Sequence, residues 1–190
     1  MGEPRTGTED EGALEAAAAG TDDATAATAH DDVDGVVAAW RRERPDLDVA
    51  PLEVLSRVSR LARHLDIARR RAFALQGLET WEFDVLSALR RSGEPYRLTP
   101  GDLLRETLVT SGTMTNRLDR LAERGLLTRQ AAPHDRRAVL VTLTEEGRRL
   151  ADQALEALLQ DEHALLADLA PQERGRLAAY LKRLLVDFEG

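Results

Sequence analysis

Apolar residues recur at helical spacing through most of this chain. One stripe runs from about residue 52 to 76 and consists of Leu55, Val58, Leu61, Ala62, Leu65, Ala72 and Phe73. A second follows Thr144 and contains Leu150, Ala151, Leu155, Leu158, Leu159, Leu165, Leu166 and Leu169, and a third follows Pro171 and contains Leu177, Tyr180, Leu181, Leu184, Leu185 and Phe188. These spacings predict amphipathic helices on both sides of a central segment.

The central segment, residues 99–149, begins with signals for two short helices. The first is predicted from Thr99 to about Thr107, because proline loses no needed N–H at the first helical position and Thr99 can cap. The second is predicted to begin after a cap at Thr110 or Ser111, which leaves room only for a tight turn between the two helices.

The second short helix is followed by signals for a β-wing. Its buried stripe is predicted to be Met114, Leu118 and Leu121, and Gly125 suits the left-handed residue that ends a helix. Residues 126–130 and 138–143 are predicted strands, and the connection 131–137 is too long for a tight hairpin. The pattern therefore predicts a mainly α fold, a winged helix-turn-helix with a two-stranded β-wing and a helical dimerisation domain formed by the N- and C-terminal helices.

The flanking helices carry more apolar surface than a small winged helix needs for its own core. A two-fold dimer would bury this surface and would place two recognition helices about one DNA turn apart, as a palindromic operator requires. We predict four regions: a disordered acidic tail at 1–32, an extra helix and a dimerisation helix at 33–78, the winged helix-turn-helix at 79–143 and C-terminal dimerisation helices at 144–190.

The net charge of −8 belongs to the N-terminal tail. Residues 1–34 hold ten acidic residues and one arginine, a net charge of −9, so the remaining chain carries +1. A tail this acidic and this poor in large apolar residues is predicted to be disordered, either as a solubilising segment or as a strip that competes with DNA. The sequence contains no cysteine, no apolar run of about 18 residues and no secretory signal. It therefore predicts a cytoplasmic protein with no membrane contact.

Catalytic and metal-binding patterns are missing from the sequence. It shows no Ser/His/Asp or Cys/His set and no phosphate-binding glycine loop, and its four histidines are scattered. We therefore expect no enzyme activity, no metal and no cofactor. Three classes stay open: a ligand-responsive repressor, a constitutive winged-helix DNA-binding protein and a winged helix that binds only protein partners.

DNA contacts are predicted from the recognition helix and the wing. On a helical wheel the outer arc of this helix is polar, and an exposed basic hairpin in this fold reaches the minor groove or a phosphate. The predicted contacts are Ser111, Gly112, Thr113, Thr115, Asn116, Arg120, Arg136 and Arg137.

The sequences SGTMTNRLDRLAERGLLTR and DRRAVLVTLTEEGRRL, at 111–129 and 135–150, resemble the MarR family of bacterial regulators. This resemblance implies a helical dimer with a small wing. It also implies repression of adjacent genes that is released by a small anionic or phenolic ligand.

A narrower resemblance concerns the residues after Thr115. The family usually has a basic and then an apolar residue there, whereas this chain has Asn116 and Arg117, which resembles the urate-responsive subgroup of PecS-like and trans-aconitate-methyltransferase-linked regulators. The subgroup pattern implies a ligand site formed by Trp40, Asp84, Arg117 and Arg129.

The chemistry of these four residues suits a flat anion such as urate, another purine or an aconitate-like acid. An indole can stack, arginine forks can bind the charge, and a carboxylate can accept N–H bonds. On the helical wheel Arg117 borders the buried stripe. We hypothesise that Asp84 pairs with Arg117 or Arg129 until an anion takes over the arginines.

Each of these residues also has a plainer reading. Arg117 could contact a phosphate, Asp84 could be an ordinary ion-pair partner, and Trp40 could only attach the extra helix. Trp81 is expected to fill the core.

Overall fold

Helices dominate the computed structural model, which describes residues 30–107, 110–132 and 135–188. At residues 132, 135–138 and 187 it describes the backbone only. The chain divides between Ala62 and Arg63 into two compact units, and one long helix crosses this boundary. Residues 1–29 of the predicted acidic tail lie outside the described residues. Within the described ranges, the helices are too short or too polar to cross a bilayer.

The first unit contains helix α1 (Asp32–Glu43) and the beginning of helix α2 (Ala50–Leu75). Asp31, which the sequence analysis assigns to the tail, is the N-cap of α1 and accepts hydrogen bonds from the backbone of Val33 and Asp34. Arg57 of α2 reaches back to Asp31 and Asp34 at 2.8 and 2.6 Å. The small core of this unit consists of Val33, Val37 and Val49, with Leu52 packed against it. The predicted extra N-terminal helix is therefore present.

The second unit follows the predicted order of elements and adds a helix and a short strand between the predicted helix 52–76 and the helix-turn-helix. The elements are α3 (Thr80–Arg91), β1 (Arg97–Leu98), α4 (Pro100–Thr107), α5 (Ser111–Glu123), β2 (Leu127–Ala132), β3 (Asp135–Leu143), α6 (Glu145–Leu165), α7 (Pro171–Leu185) and a 3-10 turn (Val186–Phe188). Helices α4 and α5 form the helix-turn-helix, and α5 is its recognition helix.

Local hydrogen bonds explain where the two short helices begin and end. Thr99 and Asp102 cap each other at the start of α4, with N–H to oxygen distances of 2.9 and 3.2 Å. Thr110 is the N-cap of α5 and accepts a bond from the backbone N–H of Thr113. Gly125 has φ +70°, the left-handed conformation predicted for the residue after this helix. These signals are local, so the sequence alone identifies them correctly.

The sheet differs from its prediction in two respects. It has three antiparallel strands in the order β1-β3-β2, because Arg97 and Leu98 pair with Thr142 and Val141 of β3. A two-residue strand is too short to show an alternating pattern. The predicted seven-residue connection is also too long. Both strands extend into it, because Ala132 pairs with Asp135 after a register shift between Ala131 and Ala132. Pro133 and His134, predicted as part of the wing turn, lie outside the described residues.

The main core joins helices α3, α5 and α6 to the sheet. Phe73 and Phe83 stack in it with ring centroids 4.1 Å apart. The predicted stripe of the recognition helix is buried, with Met114, Leu118 and Leu121 no more than 1% exposed. Trp81 is partly buried against this core, so the expectation that it fills the core holds only in part.

Several predicted apolar stripes remain exposed within one chain. The described part of α7 has no buried residue, and its large apolar side chains are open to solvent, namely Leu177, Tyr180, Leu184 and Leu185. On α6, the exposed members of the stripe are Leu155, Leu159 and Leu165, and on the first part of α2 they are Leu55, Val58 and Leu61. The helical spacing was predicted correctly, but the described residues do not cover these faces.

Candidate ligand pocket and nucleic-acid interface

A cavity of about 580 Å³ lies within the second unit, between the end of α2, the start of α3 and the recognition helix α5. We call it the Asp84 pocket. Its lining residues are Asp66, Arg70, Ala74, Leu78, Glu79, Thr80, Trp81, Asp84 and Arg117. Its volume falls in the range of small-molecule sites. The pocket therefore brings together two of the four predicted ligand residues, Asp84 and Arg117.

Asp84 lies half-buried among arginines. Its Oδ1 is 3.9 Å from Nη2 of Arg69, while Arg117 and Arg91 act on it from a greater distance. Burial raises the pKa of the Asp84 carboxyl above its usual value, and the attraction of Arg69, Arg117 and Arg91 offsets part of this rise. The ion-pair partner is thus Arg69, which corrects the hypothesis that Asp84 pairs directly with Arg117 or Arg129.

Arg117 projects sideways from the recognition helix, as the helical wheel predicts. It is partly buried, unlike its neighbours Asn116 and Thr115, and its guanidinium carbon lies 5.4 Å from the ring centre of Trp81. This is within the range of a cation–π contact. A residue of the DNA-reading helix therefore forms part of a cavity wall.

The indole in this wall is that of Trp81. The family resemblance implied Trp40 instead, which lies on α1 in the first unit with 48% of its surface exposed. Trp81 precedes Asp84 by three positions on α3, a spacing that places two side chains on one helix face. That spacing was the available signal for including Trp81 in the candidate site.

Arg129 takes a different partner from the one predicted. It lies on β2 and forms an ion pair with Asp119 of the recognition helix. It is not among the described residues that line the Asp84 pocket. Ten residues separate Arg129 from Asp119, and the sequence gives no sign of which carboxylate the arginine meets once β2 packs beside α5.

The outer face of the recognition helix is exposed as predicted. Ser111, Gly112, Thr113, Thr115 and Asn116 are all open to solvent. The Thr115 hydroxyl donates to the Ser111 carbonyl at 3.2 Å. No heavy atom lies within 4 Å of the place a Cβ would occupy at Gly112. This surface is free to approach a base edge or a phosphate.

Arg120, also predicted to contact DNA, is bound by two residues at the start of α3. Its Nη2 donates to Glu79 at 2.8 Å, and its guanidinium carbon lies 4.8 Å from the Trp81 ring centre. Bonds from Trp81 and then from Arg120 lower the pKa of Glu79. The two predicted wing residues, Arg136 and Arg137, lie on β3, where the structure describes the backbone only.

An ion pair between the buried Glu82 and the exposed Arg124 attaches the end of the recognition helix to α3. Glu82 is 2% exposed and accepts a bond from Arg124 at 2.6 Å, while Arg124 also donates to the carbonyl of Gly77 at 3.0 Å. Breaking such a pair from one side leaves a buried charge without a partner. The start of α3 therefore holds the recognition helix through Glu82 and Glu79, contacts that the sequence analysis missed.

Comparison with known proteins gives a consistent result. A family model described as the MarR family matches residues 76–138. The transcriptional regulator PecS of Dickeya dadantii (strain 3937) is 37% identical over 153 residues, which cover 80% of this chain and 92% of PecS. The repressor NicR of Pseudomonas putida is 32% identical over 74% of this chain and 89% of its own length.

Solved structures agree with the sequence relatives. A crystal structure of a mutant MarR from E. coli has a TM-score of 0.60 and 28% identity, covering 73% of this chain and 99% of that one. Bordetella bronchiseptica BpsR, whose DNA binding is regulated by 6-hydroxynicotinic acid, has a TM-score of 0.54 and 29% identity, covering 68% of this chain and 93% of that one. With its winged helix and these relatives, the chain belongs to the MarR family of DNA-binding transcriptional regulators.

Proposed function

We propose that this regulator is a repressor that binds a palindromic operator as a homodimer and releases it when a small planar anion, such as urate or a related purine, occupies the Asp84 pocket. The observation that carries the proposal is that Arg117 belongs both to the recognition helix and to the pocket wall. A ligand that binds Arg117 therefore acts directly on the element that reads DNA.

The groups around the pocket match the chemistry of such a ligand. Trp81 offers an aromatic surface and Arg117 offers positive charge, while Arg70 is already paired with Asp66 at 2.7 Å. Arginine suits a flat oxyanion because its planar fork bonds two acceptors at once. The regulation of BpsR by a hydroxylated aromatic acid supports the same class of ligand. Trp40 and Arg129 rest on the family resemblance alone and are not needed for the pocket proposed here.

Release would follow from competition between two negative charges. An anion bound to Arg117 repels the Asp84 carboxylate, which can move toward Arg69, already 3.9 Å away. A hundredfold loss of operator affinity needs about 2.8 kcal/mol of coupling, within the usual range for two linked sites. The recognition helix is the element whose position this coupling shifts.

The homodimer is supported by the apolar faces that one chain leaves exposed. Tyr180, Leu184 and Leu185 of α7 are each at least half exposed, and no residue of α7 is buried in the described chain. Contiguous apolar helix faces of this kind mark association surfaces. A two-fold pairing would place two α5 helices about one DNA turn, roughly 34 Å, apart.

The proposal is tested by titrating operator binding of the full chain with urate, xanthine, guanine, hypoxanthine and trans-aconitate. We expect at least one planar anion to weaken operator binding by about a hundredfold. If the protein binds its operator tightly and none of these compounds changes the affinity, the constitutive alternative is correct and the sensing function is wrong.

The proposed wing contacts give a second prediction. Replacing both Arg136 and Arg137 by alanine should weaken operator binding about tenfold and lower the salt slope by about one to two, because phosphate contacts release counterions. Fluorescence anisotropy at several salt concentrations measures both effects. The matched control is Arg42→Ala with Arg44→Ala, which removes two exposed charges at the C-terminal end of α1. Equal losses in both double variants would contradict a specific role for the wing.

Ligand binding should also depend on pH through Asp84. Burial already raises the pKa of this carboxyl, and an anion bound beside it would raise the pKa further. The complex then holds more protons than the free protein, so urate affinity should increase as the pH falls from about 8 to about 6.5. Calorimetry on the parent and on Asp84→Asn tests this linkage. A variant with the same pH profile as the parent would exclude Asp84 as the source.

A further inference from the structure

Trp81 is held by a hydrogen bond at its edge, while two arginines lie over its ring. Its Nε1 donates to Oε2 of Glu79 at 2.7 Å, and its ring packs partly against the main core while it lines the Asp84 pocket. The hydrogen bond and the packing fix the ring in one orientation. A rigid aromatic surface of this kind loses little entropy when a flat molecule stacks on it.

Two arginines of the recognition helix lie near this one ring. The guanidinium carbon of Arg117 is 5.4 Å from the ring centre and that of Arg120 is 4.8 Å from it. Arg120 also donates to Oε1 of Glu79, so Glu79 binds the indole with one oxygen and Arg120 with the other. Trp81 therefore connects an arginine in the pocket wall to an arginine on the exposed face of α5.

The residue next to Trp81 offers a polar group without a partner. The hydroxyl oxygen of Thr80 is buried and has no hydrogen-bond partner among the described residues, and Thr80 lines the same pocket. A buried hydroxyl without a partner costs free energy, which a ligand N–H or carbonyl could recover once the Thr80 side chain rotates into the pocket. This is an independent sign that a polar ligand completes the site beside the indole.

We infer that Trp81 is the stacking surface of the ligand site and that it transmits ligand binding to Arg120. This inference rests on the proposed function and adds the residue that selects flat ligands. A planar anion stacked on Trp81 binds the guanidinium of Arg117. It also displaces Arg117 and Arg120 from their cation–π contacts with the ring. Because Arg120 shares the ring and Glu79, its side chain shifts with the ligand, and the change reaches the DNA-reading face.

The first experiment measures urate binding to the full chain by calorimetry, using the parent, Trp81→Leu, Trp81→Phe and the matched indole removal Trp40→Leu. Base–aromatic stacking predicts a loss of about tenfold or more in Trp81→Leu, with most of the affinity kept in Trp81→Phe. Thermal melts verify that each variant is folded. Affinity within twofold of the parent in a folded Trp81→Leu overturns the inference and leaves the proposed function intact.

A second measurement uses the fact that the chain has two tryptophans. In Trp40→Phe, Trp81 is the single indole, and its emission, corrected for absorption by urate, should be quenched with the same Kd that calorimetry gives. In Trp81→Phe, the emission of Trp40 should not change. Unchanged emission of Trp81 despite binding overturns the inference, whereas a parent that binds no planar anion overturns both the inference and the proposed function.

Discussion

Replacement of Arg117 by alanine is expected to remove the ligand response of this regulator. In the parent, a saturating planar anion should weaken operator binding about a hundredfold, whereas in Arg117→Ala the same ligand should change it less than about threefold. The reason is that Arg117 is the pocket cation that belongs to the recognition helix, so its loss removes both ligand affinity and the mechanical link.

For each variant, the measured quantity is the ratio of its operator affinity without ligand to its operator affinity with ligand. This ratio separates sensing from the alternative role of Arg117 as a phosphate contact. A phosphate contact would lower the ligand-free affinity of Arg117→Ala and leave the ratio near a hundredfold, as for other contacts that only position the protein on DNA. That outcome would contradict the sensing role.

The matched control is Arg129→Ala. The sequence resemblance assigned Arg129 to the same ligand site, but the structure gives it Asp119 as its partner. We expect Arg129→Ala to keep most of the ligand response. If Arg129→Ala lost the response as fully as Arg117→Ala, the ligand would extend to the start of the wing and the Asp84 pocket would be only part of its site.

How far the sequence predicts this molecule depends on the range of the interactions involved. The cap at Thr110, the left-handed Gly125 and the stripe Met114, Leu118 and Leu121 are set by neighbours within one or two helical turns. For this reason the helix-turn-helix and the orientation of Arg117 could be predicted. A helical wheel is sufficient when one helix provides both the core face and the site residue.

The rest of the site depends on contacts between distant segments. Glu82 and Arg124 are 42 residues apart, Glu79 and Arg120 are 41 apart, and no local feature of the sequence indicates such pairs. Trp81 was assigned to the core because an aromatic residue on an amphipathic helix usually packs inward. Only the position of α5 against α3 shows that this ring has one side on the core and another on a pocket.

The last prediction concerns Gly147, which lies in the first turn of α6 beneath the base of the wing. A Cβ at this position would come within 2.0 Å of the backbone oxygen of Leu126. That oxygen cannot easily move, because it accepts the N–H of Thr144 at 3.1 Å, and the Thr144 hydroxyl in turn donates to the carbonyl of Gly125 at 2.8 Å. The end of the recognition helix, the wing and α6 therefore meet at a site with no room for a side chain.

Gly147→Ala should consequently destabilise the protein by about 3 kcal/mol or more, despite the higher helix propensity of alanine. For a chain of this size the melting temperature should fall by roughly 6–12 °C. The matched control is Gly35→Ala on α1, where no heavy atom lies within 4 Å of the added Cβ. This control should keep or raise the melting temperature, since alanine replaces a helical glycine without a clash.

A Gly147→Ala variant that stays folded has a second expected defect. The clash can be relieved only by moving Leu126 away from α6, which displaces β2 and the wing relative to α5. Operator affinity at a temperature where the variant is fully folded should then fall further than its stability explains, because the wing and the recognition helix no longer fit one DNA surface together. A variant that melts within about 2 °C of the parent and binds the operator equally well would contradict this prediction. It would show that the residues around Gly147 accommodate the methyl group without loss of stability.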